Sequence, residues 1–291
     1  MATIATRLSD LSVETVGAGP PCVLWHGLFV DSRIWDRVRD ELAGRRTLVI
    51  IDGPSAGRSD PLTRRASVAE CAMAAIEVLD GLGIEGPVDW IGLTWGGHVG
   101  IALAADHPGR IRSPAAIGSP THRLGTRGGS ERWKVQLLCL LYGVLGPIPP
   151  VTGALLGSLL TDHTRATDEE ACTIVREGFT GPPRRATVLA ARSFALDRPD
   201  LTGAAERIAA PVLFLATTER GEWTPQLAQL VADEMLDARV QAVAGLGIPP
   251  LESPDETVDA VTSFWSALPD AWAIGAGQAA TRVCASRIVY E

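Results

Sequence analysis

Hydrophobic positions change period in a regular way along the chain. Leu11 to Val16 alternates apolar and polar, which predicts a half-exposed strand ended by Gly17-Ala-Gly-Pro20. Cys22–Trp25, Thr47–Ile51 and Val88–Ile91 are short continuous apolar runs, the pattern of strands covered on both faces. Helical spacing fills Ser32–Ala43, Ser67–Leu82 and Trp95–His107. Ser67 with Glu70 three residues on forms a capping box that fixes the start of the second helix. A further strand is predicted over Arg112–Ile117. This alternation predicts an α/β fold, a mostly parallel sheet with helices on both faces.

The alternation halts after Ser119-Pro120 and resumes at Pro211–Leu215. Between them the pattern is helical, with Pro and Gly breaks and no strand. Afterwards come a helix from Pro225, a strand over Val240–Ala244 and a helix over Pro254–Ser266. The expected organisation is a core of residues 1–120 and 206–267, a helical lid over 121–205 and a weakly ordered tail over 268–291. No internal repeat is evident.

Composition narrows the functional classes. Hydrophobic residues make up 46% of the 291 residues and charged residues 21%, which suits a well-buried core. A net charge of −8 with no basic stripe argues against a nucleic-acid partner. The five cysteines are scattered, without a CxxC pair or a histidine cluster, so neither a disulfide framework nor a metal site is expected. Met1–Asp10 lacks the apolar core of a signal peptide, and a cytoplasmic location is the expectation. The most apolar stretch, Val135–Leu160, is broken by Gly146-Pro-Ile-Pro-Pro150. It reads as two buried or pocket-lining helices, so no membrane span is expected.

Four motifs carry the chemistry. Gly92-Leu-Thr-Trp-Gly96-Gly97 lies between a buried strand and a helix, the place of a G-x-S-x-G elbow. Trp25-His26-Gly27-Leu28 follows an upstream strand, as an oxyanion-loop HG motif does. Asp52-Gly-Pro-Ser-Ala-Gly-Arg-Ser59 resembles a D-x-P-G-x-G-x-S turn, and Pro249-Pro-Leu-Glu-Ser-Pro254 the stretch beyond a catalytic histidine. In this order the chain resembles the α/β-hydrolase superfamily, of the lidded type that includes epoxide hydrolases, haloperoxidase-like esterases and C–C bond hydrolases. The resemblance implies an oxyanion hole formed by the N–H groups of Trp95 and of Leu28 or Phe29.

The resemblance also exposes three departures. The elbow carries Thr94 where the family has Ser, Asp or Cys. Thr218-Glu-Arg-Gly221 places Gly221 where the acid would stand. Gly245-Leu-Gly247 runs straight into Ile248, and no histidine follows His163. A threonine hydroxyl is un-ionised at neutral pH and needs a base. It is also β-branched, ill suited to positive φ, so the elbow either relaxes or holds Thr94 under strain.

Among the remaining groups, His122 follows the strand beside the elbow strand and is the candidate base; a loop histidine is the alternative. His26 reads as orienting the HG loop, His98 as structural, His107 as solvated, and His163 as a lid residue. Glu219 and Glu222 flank Gly221 and are expected to face solvent. Trp133, Leu137, Leu141 and Tyr142 line a pocket or pack inside the lid, and Trp95 is placed at the pocket by the resemblance. Arg123, Arg127 and Arg132 read as a solvated face, with an anionic substrate as the alternative.

Three readings stay open. One is an enzyme on a small apolar carbonyl or ester-like substrate, hydrolytic or not. The second is a catalytically inactive relative that binds a small molecule or a partner. The third is a decayed gene, against which the mutual consistency of strands, glycines and caps argues. No cofactor is implied, because no metal-ligand spacing or nucleotide fingerprint is present.

Overall fold

The computed structural model describes residues 1–125, 130–219 and 222–268, with the side chains of Ser130 and Glu131 left aside. Eight strands form one sheet: β1 (Ala2–Ala5), β2 (Asp10–Gly17), β3 (Pro21–Trp25), β4 (Thr47–Ile51), β5 (Val88–Leu93), β6 (Ile111–Ile117), β7 (Val212–Thr217) and β8 (Ala238–Val243). Their spatial order is β1-β2-β4-β3-β5-β6-β7-β8. The two N-terminal strands join antiparallel, and all pairings from β4 to β8 are parallel. The predicted mostly parallel α/β architecture is therefore present, with β1 as an additional edge strand.

The continuous apolar runs became the central strands because helices cover both sides of them. On one face α2 (Val68–Gly81), α3 (Trp95–Asp106) and α10 (Pro225–Ala232) bury one apolar cluster. On the other, α1 (Asp36–Ala43) and α12 (Pro254–Ser266) bury a second. Helix α2 starts at the expected capping box, with the Ser67 side chain on the Glu70 N–H and the Glu70 side chain on the Ser67 N–H. Pro114 is tolerated within β6 because the ladder to β7 begins only at Ala115.

Between β6 and β7 the chain inserts α4 (Ser130–Leu145), α5 (Pro149–Leu159), α6 (Asp162–Thr167), α7 (Glu169–Thr180), α8 (Arg184–Ala191) and α9 (Thr202–Glu206). A π-helical turn, Arg192–Leu196, follows α8. A single-turn helix, α11 (Pro249–Glu252), precedes α12. The expected tail falls on 268–291, of which 269–291 lie outside the described residues. No helix among the described residues is long and apolar enough to cross a membrane.

Candidate active site

The elbow is built by collision and by hydrogen bonding, and Thr94 sits at its apex. Strand β5 must turn into α3 within one residue, because a Cβ at Gly96 would land on the Trp25 carbonyl. The Thr94 N–H donates to the Ile117 carbonyl of β6 at 2.8 Å, and its own carbonyl accepts from the His98 N–H at 3.0 Å. Held at both ends, Thr94 adopts φ 46° and ψ −105°. The strain the sequence posed as one of two outcomes is thus retained. Its hydroxyl makes no helix-capping bond and lies against Gly27, where a Cβ would come within 2.6 Å of Oγ1.

Trp95, at the first position of α3, is locked by aromatic packing. Its indole stacks on Phe194 of the π-helical turn, centroids 4.4 Å apart, and meets Trp25 edge-on at 5.6 Å. Trp25 in turn stacks on Trp90, whose Nε1 donates to the Gly96 carbonyl at 2.9 Å. The N–H groups of Trp95, Leu28 and Phe29 have no hydrogen-bond partner among the described residues. At Trp95 that follows from the first turn of a helix, which also carries the positive end of the helix dipole.

His26 ties the neighbouring loops together. Its Nε2 accepts from the Gly53 N–H at 2.8 Å, so Nδ1 carries the proton and donates to the Gly27 carbonyl at 2.6 Å. Asp52 completes the tie, accepting from the N–H groups of Ser32 at 2.9 Å and Arg58 at 3.1 Å. His26 therefore orients the Gly27–Phe29 loop, as read from the sequence.

A narrow cleft opens between this loop, the Asp52–Ser59 turn and the insertion. His26, Phe29, Ser55, Trp95, Gly178 and Thr187 are among the residues lining it. Its free volume is about 10 Å³, room for about one water. The insertion presses close here: a Cβ at Gly178 would come within 2.8 Å of the Val30 Cα. The non-glycine residues with positive φ among the described residues are Phe29 (66°), Ser55 (66°) and Thr94 (46°). Two of them line this cleft and the third adjoins Trp95 in it.

The loops after β7 and β8 are occupied differently. Gly221 lies outside the described residues. Glu222 does not face solvent as expected. It turns inward because Arg198, buried within the insertion, donates to it at 3.2 Å and also to the His122 carbonyl at 2.7 Å. His122 Nε2 stands 3.7 Å from Glu222, and its ring is buried beside Trp223. Among the described residues this His122–Glu222–Arg198 group is separate from the cleft lining. Burial draws the Arg198 pKa down, against the pull of Glu222.

After β8, Glu252 knots the loop that lacks a histidine. Its Oε2 accepts from the N–H groups of Leu246, Gly247 and Ile248 at 2.9, 3.3 and 3.3 Å. Its Oε1 accepts from the Thr161 N–H at 2.8 Å and the Thr164 hydroxyl at 3.2 Å. The insertion is thereby fastened to the loop, and a Cβ at Gly247 would come within 2.7 Å of the Leu159 carbonyl. No residue pattern signalled this carboxylate knot, since its partners lie far apart in the chain.

Other expectations resolve individually. His98 is buried, its Nε2 donating to the Pro120 carbonyl at 3.0 Å. Burial and the Arg198 charge hold it neutral, well below the usual imidazole range. His107 is half-buried rather than solvated, because it caps α3, and His163 is exposed. Only Tyr142 of the four named insertion residues is buried; Trp133, Leu137 and Leu141 point outward. The helical period set α4 but left its facing undetermined. Arg123 and Arg132 are exposed, and Arg127 lies outside the described residues. No group of three His, Cys, Asp or Glu among the described residues could hold a metal.

The strand–turn–helix elbow, the HG loop and the sheet order together define an α/β-hydrolase fold. A model of the alpha/beta hydrolase family matches residues 22–260, and the chain belongs to that family. The pimeloyl-[acyl-carrier protein] methyl ester esterase of Methylococcus capsulatus is 27% identical over 204 residues, 69% of this chain and 77% of that protein. The enzyme of the same name from Chromobacterium violaceum is 31% identical over 110 residues, 37% of this chain and 40% of that protein. Several of the curated relatives match over only about two fifths of their own length. Among solved structures, the enol-lactonase of Burkholderia xenovorans LB400 superposes with a TM-score of 0.82 at 20% identity, covering 91% of this chain and 100% of that one. A thermophilic esterase from Thermogutta terrifontis gives 0.81 at 20% identity, covering 91% and 97%. At that identity the likeness shows the fold.

Proposed function

We propose that the protein is an enzyme of the hydrolase scaffold, acting on a small, largely apolar carbonyl or ester-like substrate. The observation that carries this reading is the clustering of three positive-φ residues at one cleft by a helix N-terminus: Phe29 and Ser55 line it, and Thr94 precedes Trp95, which also lines it. Such strain persists only where the surroundings over-determine it, and it concentrates at functional sites. In this reading the N–H groups of Trp95 and of Leu28 or Phe29 form an oxyanion hole that receives the substrate carbonyl oxygen. The Thr94 hydroxyl adds to the carbonyl carbon and gives up its proton to a base; the ester C–O bond then breaks and the alcohol leaves with that proton. His122, beside Glu222 but outside the cleft lining, fills the role of base only after the insertion shifts to bring it in. Water, giving its proton to the same base, adds to the acyl carbon; the bond to Thr94 Oγ1 breaks, the acid leaves, and the proton returns to the Thr94 hydroxyl. The insertion acts as the lid that excludes bulk water. The supporting curated relatives include methyl ester esterases, which favours ester chemistry.

The test is a burst and turnover assay with p-nitrophenyl acetate and butyrate. Turnover is expected to fall at least about tenfold in Thr94→Ala and to survive in Thr94→Ser. Equal rates in the wild type and Thr94→Ala would remove the hydroxyl from the reaction. A second reading, binding without turnover, is favoured by the knotted Leu246–Ile248 loop, which leaves no space for a base there. That outcome would show as a ligand-dependent thermal shift with no Thr94-dependent rate.

A further inference from the structure

The most apolar segment of the chain, expected to form two buried or pocket-lining helices, turns one side inward and presents the rest of its apolar residues outward. On α4 and the turn after it, Trp133, Leu137, Leu140, Val144, Leu145 and Ile148 are exposed, with Trp133 at 53%, Leu140 at 59% and Val144 at 68%. Their spacing keeps them on one stripe of the helix, while Leu138, Cys139 and Tyr142 turn inward against Phe29, Phe179 and α8. From Val135 to Thr161 the sequence contains no Asp, Glu, Lys, Arg or His. Monomeric proteins rarely leave such a contiguous apolar face to water without using it.

The charge around the stripe is mostly positive. Arg132 and Lys134 stand at the start of α4, and Arg184, Arg185 and Arg192 on the neighbouring α8 and its π-helical turn; all five are exposed. Arg184 reaches the Val144 carbonyl at the end of α4, and Arg132 the Leu196 carbonyl at its start, at 2.5 Å. The segment 181–196 contains no acidic residue. This basic rim is set in a chain of net charge −8. Of the insertion's acidic residues, Glu131 is in α4 and Asp197, Asp200 and Glu206 lie beyond the π-helical turn, Asp197 paired to Arg65; the others lie at α6 and α7, where Asp168 and Glu177 are paired to Arg37 and Arg33 of the core.

We infer that the outer face of α4 docks on an anionic lipid surface. An apolar stripe with a Trp at its end and a cationic rim is the arrangement of an in-plane interfacial helix. Arg and Lys reach the headgroup phosphates while their stems lie along the apolar face. Helix α4 has 16 residues and is followed by Gly146-Pro147, too short for a span of about 20, so the chain lies on the bilayer and does not cross it. A second copy of this chain is the poorer occupant, because symmetric pairing of the face would set the same cations against each other.

The test uses the full chain and needs no turnover, so it stands apart from the catalytic reading. Co-sedimentation is measured with phosphatidylcholine vesicles, pure or containing about one third phosphatidylglycerol. Binding to the anionic vesicles is expected to be at least about tenfold tighter than to the neutral ones, and to weaken in about 0.5 M sodium chloride. Leu140→Glu with Val144→Glu, both exposed and helix-compatible, is expected to lower it at least about tenfold with an unchanged unfolding temperature. Arg185→Glu with Arg192→Glu is expected to do the same and serves if the first variant fails to fold. No binding by the wild type, equal binding to both vesicle types, or unaltered binding by a folded variant would overturn the inference. So would a wild-type dimer that Leu140→Glu with Val144→Glu splits and that ignores vesicles.

Discussion

At the elbow, every constraint on Thr94 comes from backbone. Its N–H and carbonyl are bound to β6 and α3, and Gly96 sits against the Trp25 carbonyl. At the loop after β8, a side chain does the corresponding work: one carboxylate, Glu252, gathers three N–H groups of that loop and two donors of the insertion. The first region has the strand–turn–helix shape of the elbow, with Thr94 at its apex. The second is closed by the Glu252 knot and packed against the Leu159 backbone. Backbone-made geometry holds its shape even around a β-branched residue that it strains, whereas the shape of the second loop depends on the one carboxylate that organises it.

This contrast can be broken from the elbow side. Gly96→Ala is expected to give the largest effect, about 4 kcal/mol of destabilisation or no soluble protein, because the new methyl meets fixed backbone. Thermal unfolding of whatever soluble protein forms measures it, and a fall of less than about 3 °C would mean that the elbow can relax. Glu252→Gln comes next, at about 2–3 kcal/mol, since an amide offers one acceptor oxygen where the carboxylate offers two. Urea unfolding at neutral pH reads it.

A third variant sharpens the comparison. Gly247→His restores a histidine to the loop, yet its Cβ would crowd the Leu159 backbone. The expected result is a loss of about 1–3 kcal/mol with no gain in p-nitrophenyl ester turnover; a clear gain would show that the loop still yields to a base. The smallest effect concerns His98. It is neutral when folded and its pKa lies below that of the unfolded chain, so its share of stability is complete above about pH 6.5 and declines as pH falls from there. In His98→Gln the stability curve below that pH should be flatter, by up to about 1.4 kcal/mol per unit.

Legibility in the sequence followed the same division. Elements defined by local pattern were readable: the apolar runs of β3, β4 and β5, the Ser67–Glu70 capping box, and the glycine spacing around Thr94. The strain at Thr94 was posed as an alternative because it depends on bonds to β6 and to His98. Strand β1 is four residues long, paired on one side only and largely exposed, so it left little hydrophobic pattern to detect. Glu222 turns inward through Arg198, a partner that sequence spacing does not reveal. For α4 the period identified a helix, but apolar residues occur on more than one side of it. Which side met the core depended on Phe29, Phe179 and α8 coming from elsewhere in the chain.

The stack of Phe194 on Trp95 has a kinetic consequence. The cleft beside it has room for about one water, so under the proposed reading a larger ligand enters only if the insertion moves. An opening that precedes binding would put two steps in series, the first independent of ligand and the second not. At high ligand concentration the observed rate should level off at the opening rate, instead of rising in proportion.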